Sequence, residues 1–311
     1  MLKVLSIKEK IKRFDKIINI SGDKSLSIRW VLLASQATGK SKAYNLLMSE
    51  DVLAAIDSIK KLGIKVKIYK NYCEITGNGI NGFKYKKNLI IDAKNSGTLG
   101  RLILGLLIKS PQKIKLIGDK SLSLRDFSRV TLPLKKFGTK FYHKNKNRLP
   151  LLILGSKLPK GIDYFENKGS AQCKSSIMFA ALNSSGTTSI KAKKSRNHSE
   201  LLFKYLKIPI QIKKTKKYDF IKIKQPKKIP AFNYQIPGDI SSSAFFMVLT
   251  TLTNDSKLLI KNVNINPSRM GIITILRKMG AKISLKNQKN YRGEKISDIL
   301  IKSSKNLKAI N

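Results

Sequence analysis

Apolar and polar positions fall into a pattern that recurs along the chain. One stretch joins a polar, small-residue entrance to an apolar helix, a short turn and an apolar strand, as in "SIRWVLLASQATGKSKAYNL". It returns as "TLGRLILGLLIKSPQKIKLIG", "CKSSIMFAALNSSGTTSIKA" and "SSAFFMVLTTLTNDSKLLIKN". Aligned in this way, Arg29, Arg101, Lys174 and Ala244 stand 72, 73 and 70 residues apart. A second stretch follows each time: an amphipathic helix, a turn and a strand. Its four copies are "DVLAAIDSIKKLGIKVKI", "RVTLPLKKFGTKFY", "ELLFKYLKIPIQIK" and "GIITILRKMGAKIS", with turn residues Gly63, Gly138, Pro209 and Gly280. In the first copy Val52, Ile56 and Ile59 recur at helical spacing, and glycine supplies the usual stop.

The pattern predicts an α/β fold made of β-α-β-α-β modules of about 72 residues, packed as supersecondary units rather than as a thin solenoid. Serines, threonines and exposed amides gather at the helix entrances. They serve either as N-caps or as anion sites, since a helix N-terminus offers unpaired N–H groups and a partial positive charge. Asp51 and Asp239 read as helix caps.

Composition alters the picture in one respect. The 311 residues carry 63 Lys and Arg against 18 Asp and Glu, a formal net charge of +45. The lysines run through nearly every segment and aromatics are not interleaved with them, so nucleic-acid binding is not expected and the charge reads as compositional. Only ten of the basic residues are arginine. Arginine is retained where a planar, bidentate fork to carboxylate or phosphate is needed. Arg29, Arg101, Arg125, Arg129, Arg196 and Arg269 all lie beside glycine, serine, proline or asparagine clusters. Cys73 and Cys173 have neither metal nor framework spacing, and Cys173 reads as helix packing. No apolar run reaches the roughly 18 residues of a membrane span, and the N-terminus lacks a secretory pattern. A cytoplasmic location is the expectation.

Read in order, seven segments resemble those of the enolpyruvyl transferases, and within them the EPSP synthase family. They are "SGDKSLSIR", "NSGTLGRLILGLL", "GDKSLSLRDFSRVTLPLKKFG", "GSAQCKSSIMFAAL", "SRNHSE", "IPGDISSSAFF" and "NPSRMGIITILRKMGAKI". The resemblance implies a two-lobed inside-out α/β barrel of six modules, four of them present here. Residues 1–18 would give the first strand of the C-terminal-type lobe, 19–236 a complete lobe of three modules, and 237–311 the first module of the second lobe. It implies transfer of the enolpyruvyl group of phosphoenolpyruvate to the 5-hydroxyl of shikimate 3-phosphate with release of phosphate. That step belongs to the shikimate pathway to chorismate and aromatic amino acids. Neither metal nor organic cofactor is implied.

Carried over residue by residue, Lys24 would reach both substrates. Ser25, Arg29, Ser170, Gln172, Ser195 and Arg196 would hold shikimate 3-phosphate. Asn95, Gly97 and Arg125, with Gln172, would hold phosphoenolpyruvate. Gly97 resembles the glyphosate-sensitive form of that pocket, Arg101 reads as structural, and Asp126 is expected to weaken the hold of Arg125 on an anion. Six modules would take about 430 residues, and the family's acid/base carboxylate segment is not found in this sequence. Activity of the chain by itself is therefore not expected, and either a second polypeptide supplies the rest or the chain is a truncated product. The incomplete lobe is expected to expose apolar faces. The alternatives are a UDP-N-acetylglucosamine enolpyruvyl transferase, or a non-catalytic basic protein that binds anions or nucleic acid.

Overall fold

A computed structural model describes residues 10–144 and 146–310. The chain divides into two compact units, residues 22–236 in one and residues up to 21 together with those from 237 in the other. Residues 1–9 of the strand expected over 1–18 lie outside the described residues. The strand seen there, β1, covers Asp15–Ile18.

The larger unit contains three modules. The first has α1 (Lys24–Gln36), β2 (Thr38–Tyr44), α2 (Glu50–Lys61), β3 (Lys65–Ile68) and β4 (Tyr72–Asn78). The second has β5 (Ile90–Asp92), α3 (Gly97–Leu106), β6 (Ile114–Ile117), α4 (Lys120–Ser123), α5 (Ser128–Lys135), β7 (Lys140–His143) and β8 (Leu151–Leu154). The third has β9 (Asp163–Glu166), α6 (Ala171–Ala181), β10 (Thr187–Lys193), α7 (His198–Tyr205), β11 (Ile210–Lys214) and β12 (Tyr218–Lys224), after which β13 (Tyr234–Gln235) returns to the first sheet. The smaller unit joins β1 to α8 (Ile240–Leu252), β14 (Lys257–Asn264), α9 (Gly271–Lys278), β15 (Lys282–Tyr291) and β16 (Glu294–Lys302).

Each module closes one four-stranded sheet, and the strand order is the same in all four: β13-β2-β4-β3, β5-β6-β8-β7, β9-β10-β12-β11 and β1-β14-β16-β15. The first pair is parallel and the other two are antiparallel. The module is therefore β-α-β-α-β-β, one strand longer than the pattern predicts. The extra strands (β4, β8, β12, β16) pair antiparallel with two neighbours each, and in β4, β8 and β12 buried positions alternate with more exposed ones.

The two helices of a module differ in how they are buried. Every residue of α1 from Leu26 to Gln36 is buried, as is every residue of α6 from Cys173 to Ala181. Such helices are enclosed on all sides in the middle of a packed unit, so their polar residues, Arg29 and Lys174 among them, must find partners inside it. Close approach needs small residues, and a Cβ on Gly105 of α3 would stand 2.2 Å from the Ser176 carbonyl oxygen of α6. The second helix of each module is amphipathic and covers its own sheet. It ends on a left-handed residue: Gly63 (φ +84°), Gly138 (φ +88°) and Gly280 (φ +97°). In the third module that position is Lys207 (φ +55°) rather than Pro209, which lies two residues further on. In the smaller unit α8 buries Ile240, Ser243, Met247, Thr250 and Thr251. Its Phe245 and Leu252 remain 79% and 65% exposed, the apolar face expected there. No helix among the described residues is long and apolar enough to cross a membrane.

Candidate active site

The helix entrances of the larger unit come together through their side chains. At the first, Asp23 caps α1, its Oδ1 accepting the Leu26 N–H at 2.9 Å. The cap starts the helix so that Lys24 falls on the exposed first turn and Arg29 one turn later faces inward. Lys24 Nζ lies 3.3 Å from Asp51 Oδ2, with the lysine side chain half-exposed. Asp51 is thus an ion-pair partner and not the expected cap, because Ser49 holds the N-cap position of α2. Arg29 is buried. It donates from Nη1 to the Ser25 carbonyl (3.0 Å), from Nε to Ser199 Oγ (2.8 Å) and from Nη2 to Ser175 Oγ (3.0 Å). The first module is thereby tied to α6 and α7 of the third.

The second and third entrances meet at Gln172. Its Oε1 accepts from Arg101 Nη1 at 2.7 Å and its Nε2 donates to Thr98 Oγ1 at 3.1 Å, so both ends of the amide are fixed. Ser96 and Ser170 cap α3 and α6 by accepting the Leu99 and Cys173 N–H groups. A Cβ on Gly97 would meet Arg101 Nη1 at 2.9 Å and Arg125 Nη1 at 3.1 Å. Gly97 therefore marks the point where two guanidinium groups converge over a helix N-terminus. The Arg101 guanidinium also stacks on Phe127, 5.1 Å from the ring centroid. Burial first, then the like charges of Arg129 and Arg125, bring its pKa down to about 10. Crowded like charges of this kind favour an anionic neighbour.

The carboxylate next to Arg125 has a partner of its own. The Asp126 carboxylate accepts the Ser128 N–H at 2.6 Å and the Ser128 hydroxyl at 2.7 Å, closing the turn that starts α5. Burial works against its ionisation, yet these bonds and the charge of Arg129 hold its pKa below the usual value. The carboxylate is engaged with Ser128 and stays ionised beside the arginines. Asn95 donates to Asp119 Oδ2 at 2.5 Å at the start of α4. Cys173 is buried, its thiol donates to the Arg129 carbonyl at 2.9 Å, and burial pushes its pKa up to about 12.

In the third module the Ser195 hydroxyl is buried without a hydrogen-bond partner among the described residues, and Arg196 beside it is exposed. Lys174 and Glu200 form an ion pair at 2.6 Å, both buried. In the smaller unit, Arg269 is the arginine whose cluster proves local. Its Nη2 donates to Asp239 Oδ1 and Ser241 Oγ, both at 2.7 Å, while Asp239 caps α8 as expected.

Contacts therefore link Ser25, Arg29, Gly97, Arg125 and Gln172 into one region of the larger unit. Lys24 and Asn95 are held by local carboxylates, and Ser170 is engaged as a cap. Thr98, Ser175, Ser199 and the link from Arg101 to Gln172 escape a reading of the sequence. The repeat held a signal for them: Arg101 and Lys174 occupy the place of Arg29 in their modules, and each reaches a polar group as Arg29 does.

A family model described as EPSP synthase (3-phosphoshikimate 1-carboxyvinyltransferase) matches residues 8–311. A curated 3-phosphoshikimate 1-carboxyvinyltransferase from Thermoanaerobacter sp. (strain X514) is 39% identical over 305 residues, covering 97% of this chain and 70% of that protein. The one from Bacillus subtilis (strain 168) is 36% identical over 305 residues with the same coverage. The solved EPSP synthase from Acinetobacter baumannii superposes with a TM-score of 0.87 at 34% identity, over 96% of this chain and 67% of that one. Nothing in these matches supports a second polypeptide.

Proposed function

The chain belongs to the EPSP synthase family, and from that premise we propose that it serves transfer of the enolpyruvyl group from phosphoenolpyruvate to the 5-hydroxyl of shikimate 3-phosphate. The hydroxyl oxygen bonds to the substituted vinyl carbon, inorganic phosphate departs, and the hydroxyl proton is released. The two substrates bring two phosphates and two carboxylates to one place. Fixed cations and oriented N–H groups compensate such charge best where water is excluded.

The observation that carries this reading is the convergence of Arg101 and Arg125 on Gly97, beside an entrance shared through Gln172. In it, Arg125, Asn95, the backbone at Gly97 and Gln172 receive phosphoenolpyruvate. Ser25, Arg29, Ser170, Gln172, Ser195 and Arg196 receive shikimate 3-phosphate, and Lys24 exchanges Asp51 for the substrates. Nucleotide-sugar and nucleic-acid partners are not favoured by relatives that act on the shikimate compound. A cytoplasmic location accords with the substrates.

A calorimetric titration of the chain with shikimate 3-phosphate, repeated with phosphoenolpyruvate present, tests the reading. Saturable one-to-one binding is expected. Arg29→Lys keeps the charge and loses the fork, so affinity should fall by about 1.5–3 kcal/mol, roughly ten- to hundredfold. Unchanged affinity would remove Arg29 from the site.

A further inference from the structure

We infer that the buried Lys174–Glu200 ion pair is a positioning device for Arg29, fixing α6 against α7 so that Ser175 and Ser199 hold the guanidinium from two sides. The inference rests on the reading that Arg29 receives a substrate anion.

The geometry is a double link between two helices. Lys174 and Ser175 are consecutive on α6, and Ser199 and Glu200 are consecutive on α7. Ser175 Oγ and Ser199 Oγ lie 2.7 Å apart, and Lys174 Nζ lies 2.6 Å from Glu200 Oε1. The serine pair accepts two N–H groups of Arg29, at 2.8 and 3.0 Å, and shares one hydroxyl proton between its own oxygens. A slide of α6 along α7 would break all three bonds together. Consecutive helix positions point about 100° apart, so the ion pair stands beside the serine pair and braces it.

Energetics argue that the pair is there for geometry. Two charges taken out of water seldom stabilise a fold more than well-packed apolar side chains of the same volume do. This pair is also incompletely satisfied, since Lys174 Nζ and Glu200 Oε2 are both buried without a well-aligned hydrogen bond among the described residues. What such a pair supplies is a short contact between opposite charges that holds one arrangement. Lys174 occupies the place of Arg29 and Arg101 in the repeat. Those two reach serines or Gln172, whereas Lys174 is spent on a carboxylate inside its own module.

The test replaces the pair by apolar residues, Lys174→Met with Glu200→Leu, and measures shikimate 3-phosphate affinity and the unfolding midpoint together. Expected are a midpoint at or above that of the unchanged chain and an affinity about tenfold lower. In an Arg29→Ala background the same replacement should leave affinity within about twofold, because coupling runs through Arg29. Ser199→Ala should weaken binding and Ser199→Thr should restore it.

A folded double variant that binds normally would overturn the inference, as would an equal loss in the Arg29→Ala background. Should the double variant fail to fold, Glu200→Asp decides: it keeps the charge and shortens the reach, and normal binding by it overturns the inference. A chain that binds no shikimate 3-phosphate in its unchanged form would overturn the functional reading itself, and this inference with it.

Discussion

Gly97→Ala separates the fold from the site more sharply than any other single change. The added methyl would stand 2.9 Å from Arg101 Nη1, 3.1 Å from Arg125 Nη1 and 3.6 Å from Leu122 Cδ1. Ordinary contact begins at 3.4 Å, so only the two guanidinium tips must retreat. Both are ends of long, flexible side chains, and the backbone at Gly97 is helical with no positive φ to lose. Alanine also suits a helix better than glycine, so stability should stay level or rise by up to about 1 kcal/mol.

Binding moves the other way. A retreat of about 0.3–0.5 Å carries a charge-assisted hydrogen bond from its optimum to the edge of the useful range. Losing much of one such bond lowers phosphoenolpyruvate affinity by about 1–2 kcal/mol, some five- to thirtyfold. Arg101 would also pull on Gln172, and glyphosate, whose chain between phosphorus and carboxylate is longer, should lose more. The assay is a titration with each ligand in the presence of shikimate 3-phosphate, beside a denaturant melt. A folded variant with unaltered affinity would refute the claim that Arg125 meets the ligand beside Gly97.

Other substitutions test the packing directly. Gly105→Ala lies on the same helix but drives its methyl to 2.2 Å from the Ser176 backbone oxygen. It should lower the denaturant midpoint by about 1–3 kcal/mol or more, where Gly97→Ala does not. Lys207→Gly relieves a left-handed lysine at φ +55° and should raise stability by about 0.5–1 kcal/mol in the same melt. Cys73 and Cys173 should resist alkylation at neutral pH until the chain is unfolded, because burial raises their thiols to about 11 and about 12. The folded chain then holds these protons longer than the unfolded one, whose thiols titrate near 9.0. Their contribution is complete below about pH 9 and fades as pH rises through the folded values.

What the sequence determined by itself is the module. A four-fold period, apolar faces at helical spacing and a glycine stop are local properties, and they are enough to define the repeated unit and where its helices begin. Arginine in a lysine-rich chain likewise drew attention to Arg29, whose guanidinium donates from three nitrogens at once as a lysine could not. The fourth strand of each module escaped because it lies beyond both repeated stretches, and Lys207 escaped because a non-glycine left-handed residue has no local signature. Only tertiary structure decided how the entrances meet. Asp51 turns to Lys24, Arg29 to Ser175 and Ser199, and Gln172 is pinned between Arg101 and Thr98. Each of these depends on which groups, distant in sequence, stand within about 3 Å once the modules pack.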